Sequence, residues 1–73
     1  MNKNQHVVPH QKLWGVRGEG NKRITRKTFT QQEAIEIARK IAKNQRSELF
    51  IHKKDGSIRE RNSYGNDSIY EEG

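Results

Sequence analysis

Three histidines, His6, His10 and His52, are the residues of this sequence best suited to binding a metal ion. Neutral imidazole is the commonest metal ligand in proteins, and the spacing of His6 and His10 would place both rings on one face of a helix. Pro9 stands between them and favours an extended chain, in which the two rings would lie far apart. Because no fourth ligand is evident, the sequence favours polar strand histidines, and we expect no metal site.

A catalytic site would have to combine His52 with a carboxylate and a hydroxyl group. The candidates for those groups are Asp55, Glu60, Ser57 and Ser63. Such residues are common in any hairpin, and no nucleophile motif surrounds them. Gly18 and Gly20 lack the third glycine and the following helix of a phosphate-binding loop. The sequence therefore predicts a protein that is not an enzyme and uses no cofactor.

The charge of the chain is unevenly distributed. Residues 1–61 contain all 15 lysines and arginines and six of the nine acidic residues, a balance of +9, whereas residues 62–73 contain three acids and no base. A basic surface attracts polyanions through its long-range field. Nucleic acid, either DNA or RNA, is therefore the first class of partner to consider.

The absence of cysteine excludes disulfides and thiolate metal sites, and it fits a reducing compartment. The first residues lack the apolar segment of a signal peptide, and no apolar run approaches the ~20 residues of a membrane span. We therefore expect a cytoplasmic protein that makes no contact with a membrane.

The run from Thr30 to Asn44 organises the fold because its apolar residues recur at helical spacing. The residues expected on its buried face are Ala34, Ile37, Ala38 and Ile41, with Ile35 and Ala42 beside them, and Ile37 and Ile41 are expected in the core. Thr30 and Glu33 have the spacing of a capping box, which marks the start of the helix. Asn44 is a suitable residue for a left-handed cap at its end.

The dipeptide Asp55-Gly56 predicts a two-residue hairpin turn after the helix. That turn would place His52 opposite Arg59 and would fix the two faces of the hairpin. One face would carry Leu49, Ile51 and Ile58, with Glu60 near the rim. The other face would carry Phe50, His52, Lys54, Arg59 and Arg61. The first face is expected to pack on the helix, and the second is basic and aromatic.

A first hairpin is expected before the helix. Residues 6–17 have the alternation of a strand interrupted at Pro9, residues 18–21 form a turn cluster, and residues 23–29 are again extended. The resulting order is β-β-α-β-β. This order predicts a two-layer α+β fold in which one helix packs on one face of an antiparallel sheet.

A chain of 73 residues has room for a single small core. Its mean hydropathy is −1.24, but the apolar residues concentrate at periodic positions in the middle of the chain. We expect one α+β domain over residues 6–65, a disordered N-terminus at residues 1–5 and a flexible acidic tail at residues 66–73. Tyr64 is expected to dock the start of the last segment on the domain.

The basic and aromatic sheet face is the strongest candidate for a functional surface. Lysines and arginines neutralise phosphates, and aromatic rings stack with the bases of single strands. The candidate nucleic-acid-binding residues are Arg23, Lys27, Phe50, His52, Lys54, Arg59 and Arg61. Two alternatives stay open. The face could be a solvated strand surface whose long side chains cover apolar atoms, or the domain could pair an edge or a face with another protein or with itself.

Four segments carry a resemblance to a known family: HVVPH at 6–10, WGVRGEG at 14–20, TQQEAIEIARKIA at 30–42 and ELFIHKKDGSIRERNSYGND at 48–67. In this order and spacing they resemble a family of short bacterial and phage proteins known only as domain of unknown function 2188. The final EEG departs from the proline-rich ends of many members. The resemblance supports the α+β fold and a bacterial or phage source, and it brings no activity to any residue.

Deleting residues 66–73 is expected to leave the thermal midpoint of unfolding nearly unchanged, because these residues show turn composition and little apolar periodicity. The measurement is thermal unfolding of the full and shortened chains, followed by circular dichroism. A large fall in the midpoint of the shortened chain would show that the acidic tail is docked.

Overall fold

The computed structural model describes residues 3–65, which form one sheet and one helix. The elements are β1 (Gln5–His10), β2 (Leu13–Gly18), β3 (Arg26–Thr28), α1 (Gln31–Gln45), β4 (Glu48–His52) and β5 (Ile58–Ser63). The sheet has the strand order β3-β2-β1-β4-β5, and α1 packs on one of its faces. The predicted α+β fold is confirmed. The predicted acidic tail lies outside the described residues.

Neighbouring strands are antiparallel except for the central pair, β1 and β4, which is parallel. The parallel register joins Gln5 with Leu49, His6 with Phe50 and Val7 with Ile51. Parallel neighbours need a long crossover connection, and here the connection includes β2, β3 and α1. The sheet is therefore mixed, with one parallel pair at its centre. No helix within residues 3–65 has the length and apolar character needed to cross a lipid bilayer.

The first hairpin forms at a different place from the predicted one. Residues 6–17 are not one strand, because the chain reverses at Gln11 and Lys12 and β1 pairs with β2 along its whole length. Gln11 has a φ of 57°, a left-handed conformation that is uncommon for glutamine and gives no signal in the sequence. The cluster at residues 18–21 instead leads to the short strand β3, which adds to the outer edge of β2.

The turn of the second hairpin is one residue longer than predicted. The carbonyl of Lys53 accepts from the Gly56 N–H at 2.9 Å, and the Lys53 N–H donates to the Ser57 carbonyl at 2.7 Å. Gly56 has a φ of 93°, whereas Asp55 is not among the residues with positive φ. The turn is therefore the three-residue type that ends in a left-handed glycine, and it is not the predicted type I′ turn.

The additional turn residue changes the faces of β5. Ile51 lies opposite Glu60 as predicted, but an irregularity follows, and His52 lies opposite Ile58 and not Arg59. Ile58 therefore shares a face with His52 and is 55% exposed, so the prediction that it packs on the helix is wrong. Because the bulge adds one residue to β5, Arg59 turns towards the helix side.

The core lies between the sheet and α1. Its buried side chains are Val7, Val16, Leu49 and Ile51 from the sheet and Ala34, Ile35, Ala38 and Ala42 from the helix. Thr30 and Glu33 form the predicted capping box. Ile37 and Ile41, which were predicted in the core, are half-buried at its border. The buried stripe is thus rotated towards Ile35, and its small alanines allow the helix to lie close to the sheet.

The end of α1 differs from the prediction and is followed by a docked residue. Arg46, and not Asn44, has the left-handed conformation, with a φ of 54°. Its N–H donates to the carbonyl of Ala42, as does the N–H of Ser47, which satisfies the last turn of the helix. The Tyr64 N–H donates to the Ser47 carbonyl at 3.1 Å, and the Tyr64 ring packs against the core. The predicted docking of Tyr64 is confirmed.

Ile35→Ala is expected to lower the free energy of unfolding by about 2–4 kcal/mol, because it leaves a cavity under a helix residue that is only 6% exposed. Ile37→Ala is the matched control, since it makes the same change in the same helix at a half-buried position. We expect the control to lose less free energy of unfolding than Ile35→Ala. Urea unfolding of the two variants measures both effects, and equal losses would contradict the observed position of the buried stripe.

Candidate site on the open sheet face

The face of the sheet turned away from α1 is called the open face here. The strand registers place these residues on it: His6, Val8, His10, Leu13, Gly15, Arg17, Lys27, Glu48, Phe50, His52, Ile58, Arg61 and Ser63. Side chains of paired residues point to the same side of a sheet. The open face therefore spans all five strands and combines imidazole, aromatic, aliphatic and cationic groups with one carboxylate, that of Glu48.

His6 and His52 are in contact at the centre of the open face, and together they are called the histidine pair. The parallel register places His6 beside Phe50, and their rings stack with centroids 4.9 Å apart and an interplanar angle of 15°. His52 lies two residues after Phe50 on the same face. His6 Nδ1 is 3.0 Å from His52 Nε2, although the residues are 46 positions apart in sequence.

The outer nitrogens of the histidine pair are also engaged. His6 Nε2 is 3.0 Å from Glu19 Oε1, and His52 Nδ1 is 2.9 Å from the carbonyl oxygen of Gly56. A carboxylate and a backbone carbonyl only accept hydrogen bonds. Each imidazole therefore donates outward, His6 to the loop after β2 and His52 to the turn between β4 and β5.

The number of protons on the histidine pair follows from these contacts. Hydrogen bonds to Glu19, between the two rings and to Gly56 require three protons on the ring nitrogens. Two neutral imidazoles carry only two. When both outer nitrogens donate, the two inner nitrogens face each other with lone pairs. Two neutral imidazoles therefore cannot make all three hydrogen bonds at once.

Glu19 is held beside this site by its own backbone. Its N–H donates to the Asn4 carbonyl at 2.8 Å, which fixes the loop after β2 against the start of β1. The hydrogen bond from His6 lowers the pKa of the Glu19 carboxyl below its usual range, and the Asn4 amide and the charge of Arg17 act in the same direction. Glu19 is thus kept as the anionic acceptor that orients His6.

Four of the residues predicted to bind nucleic acid share the open face. Phe50 and His52 lie at its centre, Lys27 lies on the edge strand β3, and Arg61 lies opposite Phe50 on β5. The Arg61 side chain is 63% exposed and has a weak ion pair with Glu48 at 3.8 Å. Exposed pairs of this length contribute little to stability. Arg61 is therefore free to make other contacts with little loss.

The other three predicted residues lie elsewhere. Arg59 was assigned to the open face, but its guanidinium donates to Gln31 Oε1 on the first turn of α1 at 2.7 Å, so that assignment is wrong. Gln31 in turn donates to the His52 carbonyl at 2.9 Å. Lys54 lies in the hairpin turn, where it borders a hollow beside the first hairpin. Arg23 is exposed in the loop between β2 and β3, where it lines a hollow together with His10 and Lys27 at the border of the open face.

The sequence interpretation missed Glu19 and the contact between His6 and His52. It named His6, His10 and His52 as candidate ligands but examined only the spacing of His6 and His10. A parallel pairing of β1 with β4 would have revealed the contact, because that register places His6 beside Phe50. The available signal was the helix between the two strands, since a helix is the usual crossover between parallel neighbours.

Comparison with known proteins identifies similar sequences of unknown activity. The model of a family described as an uncharacterized protein conserved in bacteria, domain of unknown function 2188, matches residues 5–64. The uncharacterized protein YdaT of Bacillus subtilis (strain 168) is 43% identical over 61 residues, which cover 84% of this chain and 41% of that protein. The chain thus spans about two fifths of the length of this relative. No solved structure matches the chain significantly.

Glu19→Gln is expected to lower the midpoint of thermal unfolding near pH 6. The difference from the parent should disappear at a pH below the folded pKa of Glu19. The folded pKa of Glu19 lies below the ordinary value of 4.5. Its contribution to stability is therefore present above about pH 4.5 and is lost as the pH falls through the lower folded pKa. Thermal unfolding of the parent and the variant across this range measures the difference.

The control for this prediction is the same substitution in a His6→Gln background. Without the imidazole donor, Glu19→Gln should have a much smaller effect near pH 6, because the largest cause of the lowered pKa is gone. An undiminished effect in that background would show that Glu19 stabilises the fold through another contact.

Proposed function

The chain belongs to this uncharacterized bacterial family, and because the family supplies no activity to transfer, we propose a function from the open face. The domain is a non-enzymatic nucleic-acid-binding module that contacts the phosphate backbone. The observation that carries the proposal is that α1 covers one face of the sheet, while the opposite face presents a central ring, two imidazoles and surrounding cations.

The charges of the open face support this proposal. Arg17, Lys27 and Arg61 lie on three different strands, so their positive charges are spread across the width of the sheet. Neutralising phosphates with lysines and arginines releases counterions, and this release drives most nonspecific binding to nucleic acid. The balance of +9 over residues 1–61 adds a long-range attraction to the same ligand.

The aromatic centre of the open face favours single strands. Phe50 is half-buried at the middle of the sheet, with His6 stacked on it. Exposed parts of aromatic side chains on a sheet stack with unpaired bases, and stacking tolerates every base. Phosphate contacts carry no sequence information. The proposed binding is therefore of low sequence preference.

The helix of the domain offers no route to sequence-specific binding in the major groove. Its cations Arg39, Lys40 and Lys43 lie on α1, which is the only helix among residues 3–65. Helix-turn-helix proteins insert a recognition helix that a second helix holds across the backbone. With no second helix in the described part of the chain, the open face is the better candidate surface.

A protein partner is the second candidate function, and exposed apolar side chains favour it. Ile58 on the open face is 55% exposed, and Phe29, between β3 and α1, is 83% exposed. Large exposed apolar side chains are frequent where proteins associate. The partner could be another protein or a second copy of this chain. Association through such groups would persist at high salt, whereas phosphate contacts would weaken.

The test is a salt titration of binding to fluorescent single-stranded and double-stranded DNA and RNA, measured by anisotropy. The variant Lys27→Ala/Arg61→Ala removes two cations from the open face. Each lost phosphate contact should reduce the magnitude of the slope of log affinity against log salt by about 0.7–0.9. We therefore expect the slope of this variant to be smaller by roughly 1.4–1.8.

The matched control is Lys43→Ala/Arg59→Ala, which removes the same charge from the last turn of the helix and the helix side of β5. It should keep the parent slope. Equal slopes for the two variants would show that the binding surface is not the open face. If the folded parent does not bind any of the nucleic acids at low salt, the proposal is wrong and the protein partner becomes the better interpretation.

A further inference from the structure

The two inner nitrogens of the histidine pair lie within hydrogen-bonding distance of each other, but two neutral rings have no proton left to place between them when both outer nitrogens donate. The inner nitrogens are 3.0 Å apart, and the outer nitrogen of each ring is held by an acceptor, Glu19 on one side and the Gly56 carbonyl on the other. In neutral rings both inner nitrogens carry lone pairs, and two lone pairs at this distance repel. A cation bound by both nitrogens removes the repulsion.

The outer contacts of the histidine pair match those of metal-binding histidines. An imidazole that coordinates a metal ion usually donates its other N–H to a carboxylate or a backbone carbonyl, which fixes the ring and makes the coordinating nitrogen more basic. His6 has the carboxylate of Glu19, and His52 has the carbonyl of Gly56. The orienting partners of a two-imidazole metal site are therefore already in place.

The distance between the inner nitrogens indicates the class of metal. An ion at ~2.05 Å from each nitrogen would subtend an angle of about 94° across the observed 3.0 Å. That angle is near the 90° between neighbouring ligands in tetragonal copper(II) and nickel(II) sites, and it is smaller than the ~109° of tetrahedral zinc. To bind the ion, the two rings would have to turn until their lone pairs meet at a point beside the line that joins the two nitrogens.

We propose that His6 Nδ1 and His52 Nε2 form a binding site for a divalent ion of the copper or nickel class. Within residues 3–65 no group of three or more histidines, cysteines or acidic residues could hold a metal. With no third protein ligand among these residues, water would have to fill the other coordination positions of the ion. The ion takes the place of any proton shared by the rings, so its affinity falls as the pH falls.

The first test uses Cu²⁺ and the unmodified chain. Substoichiometric Cu²⁺ is paramagnetic and should broaden the ring-proton NMR signals of His6 and His52 before those of His10. The electron paramagnetic resonance spectrum of the same sample should show two imidazole nitrogens on the ion. Equal broadening of all three histidines would indicate binding at scattered surface groups and would overturn the proposal.

The second test compares affinities for Cu²⁺ among variants whose fold is verified by circular dichroism. His6→Gln and His52→Gln should each remove the two-imidazole signal. His10→Gln is the matched control, because it removes a histidine of the same strand and the same face outside the pair, and it should bind as the parent does. Glu19→Gln should weaken binding about tenfold by freeing the His6 ring.

Either of two results would contradict the proposal that His6 and His52 bind the ion together. One is an unchanged affinity and spectrum in the folded His6→Gln variant. The other is an equal loss in His10→Gln and in the two pair variants. Both results are independent of nucleic-acid binding, because the assay contains no nucleic acid.

Discussion

Three residues of β1 pair in parallel with three residues of β4, and this pairing joins two parts of the sheet that would otherwise be separate. On one side lie β1, β2 and β3, and on the other lies the hairpin of β4 and β5. The join places Val7 beside Ile51 on the side of the helix, where both are buried in the core. On the opposite side the same register brings His6 beside Phe50 and within reach of His52. The core and the candidate site thus depend on one set of backbone hydrogen bonds.

The helix was predictable from the sequence because its signals are local. The capping box of Thr30 and Glu33 and the apolar spacing lie within one segment, and the observed helix begins at Gln31 as predicted. The first hairpin was not predictable, because it turns at Gln11, and glutamine is not one of the residue types that favour a left-handed conformation. The rotation of the buried stripe towards Ile35 was not predictable either. It depends on how the helix packs against the sheet, and the spacing of apolar residues within the helix carries no information about that packing.

The candidate site was predictable only where it lies within one hairpin. Phe50, His52 and Arg61 share a face as predicted, because Phe50 pairs with Arg61 in the part of the hairpin that lies beyond the bulge. The predicted position of Arg59 was wrong because the turn has one residue more than predicted and the bulge adds one residue to β5. The two changes compensate each other, so the pairing beyond the bulge is as predicted, but the Arg59 side chain moves to the other face of the sheet. His6 and Glu19 could not be placed because their contacts cross the parallel pair.

The bulge in β5 also affects how this sheet behaves beside other sheets. A regular edge strand presents a row of unpaired backbone groups to which a strand of another molecule can add. β5 is an edge strand, but its ladder is irregular near His52, and its exposed residues include Arg59, Glu60 and Arg61. The opposite edge, β3, is only three residues long. Neither edge of the sheet formed by residues 3–65 is therefore a good template for strand addition, so the sides of this sheet are protected from growth into extended aggregates.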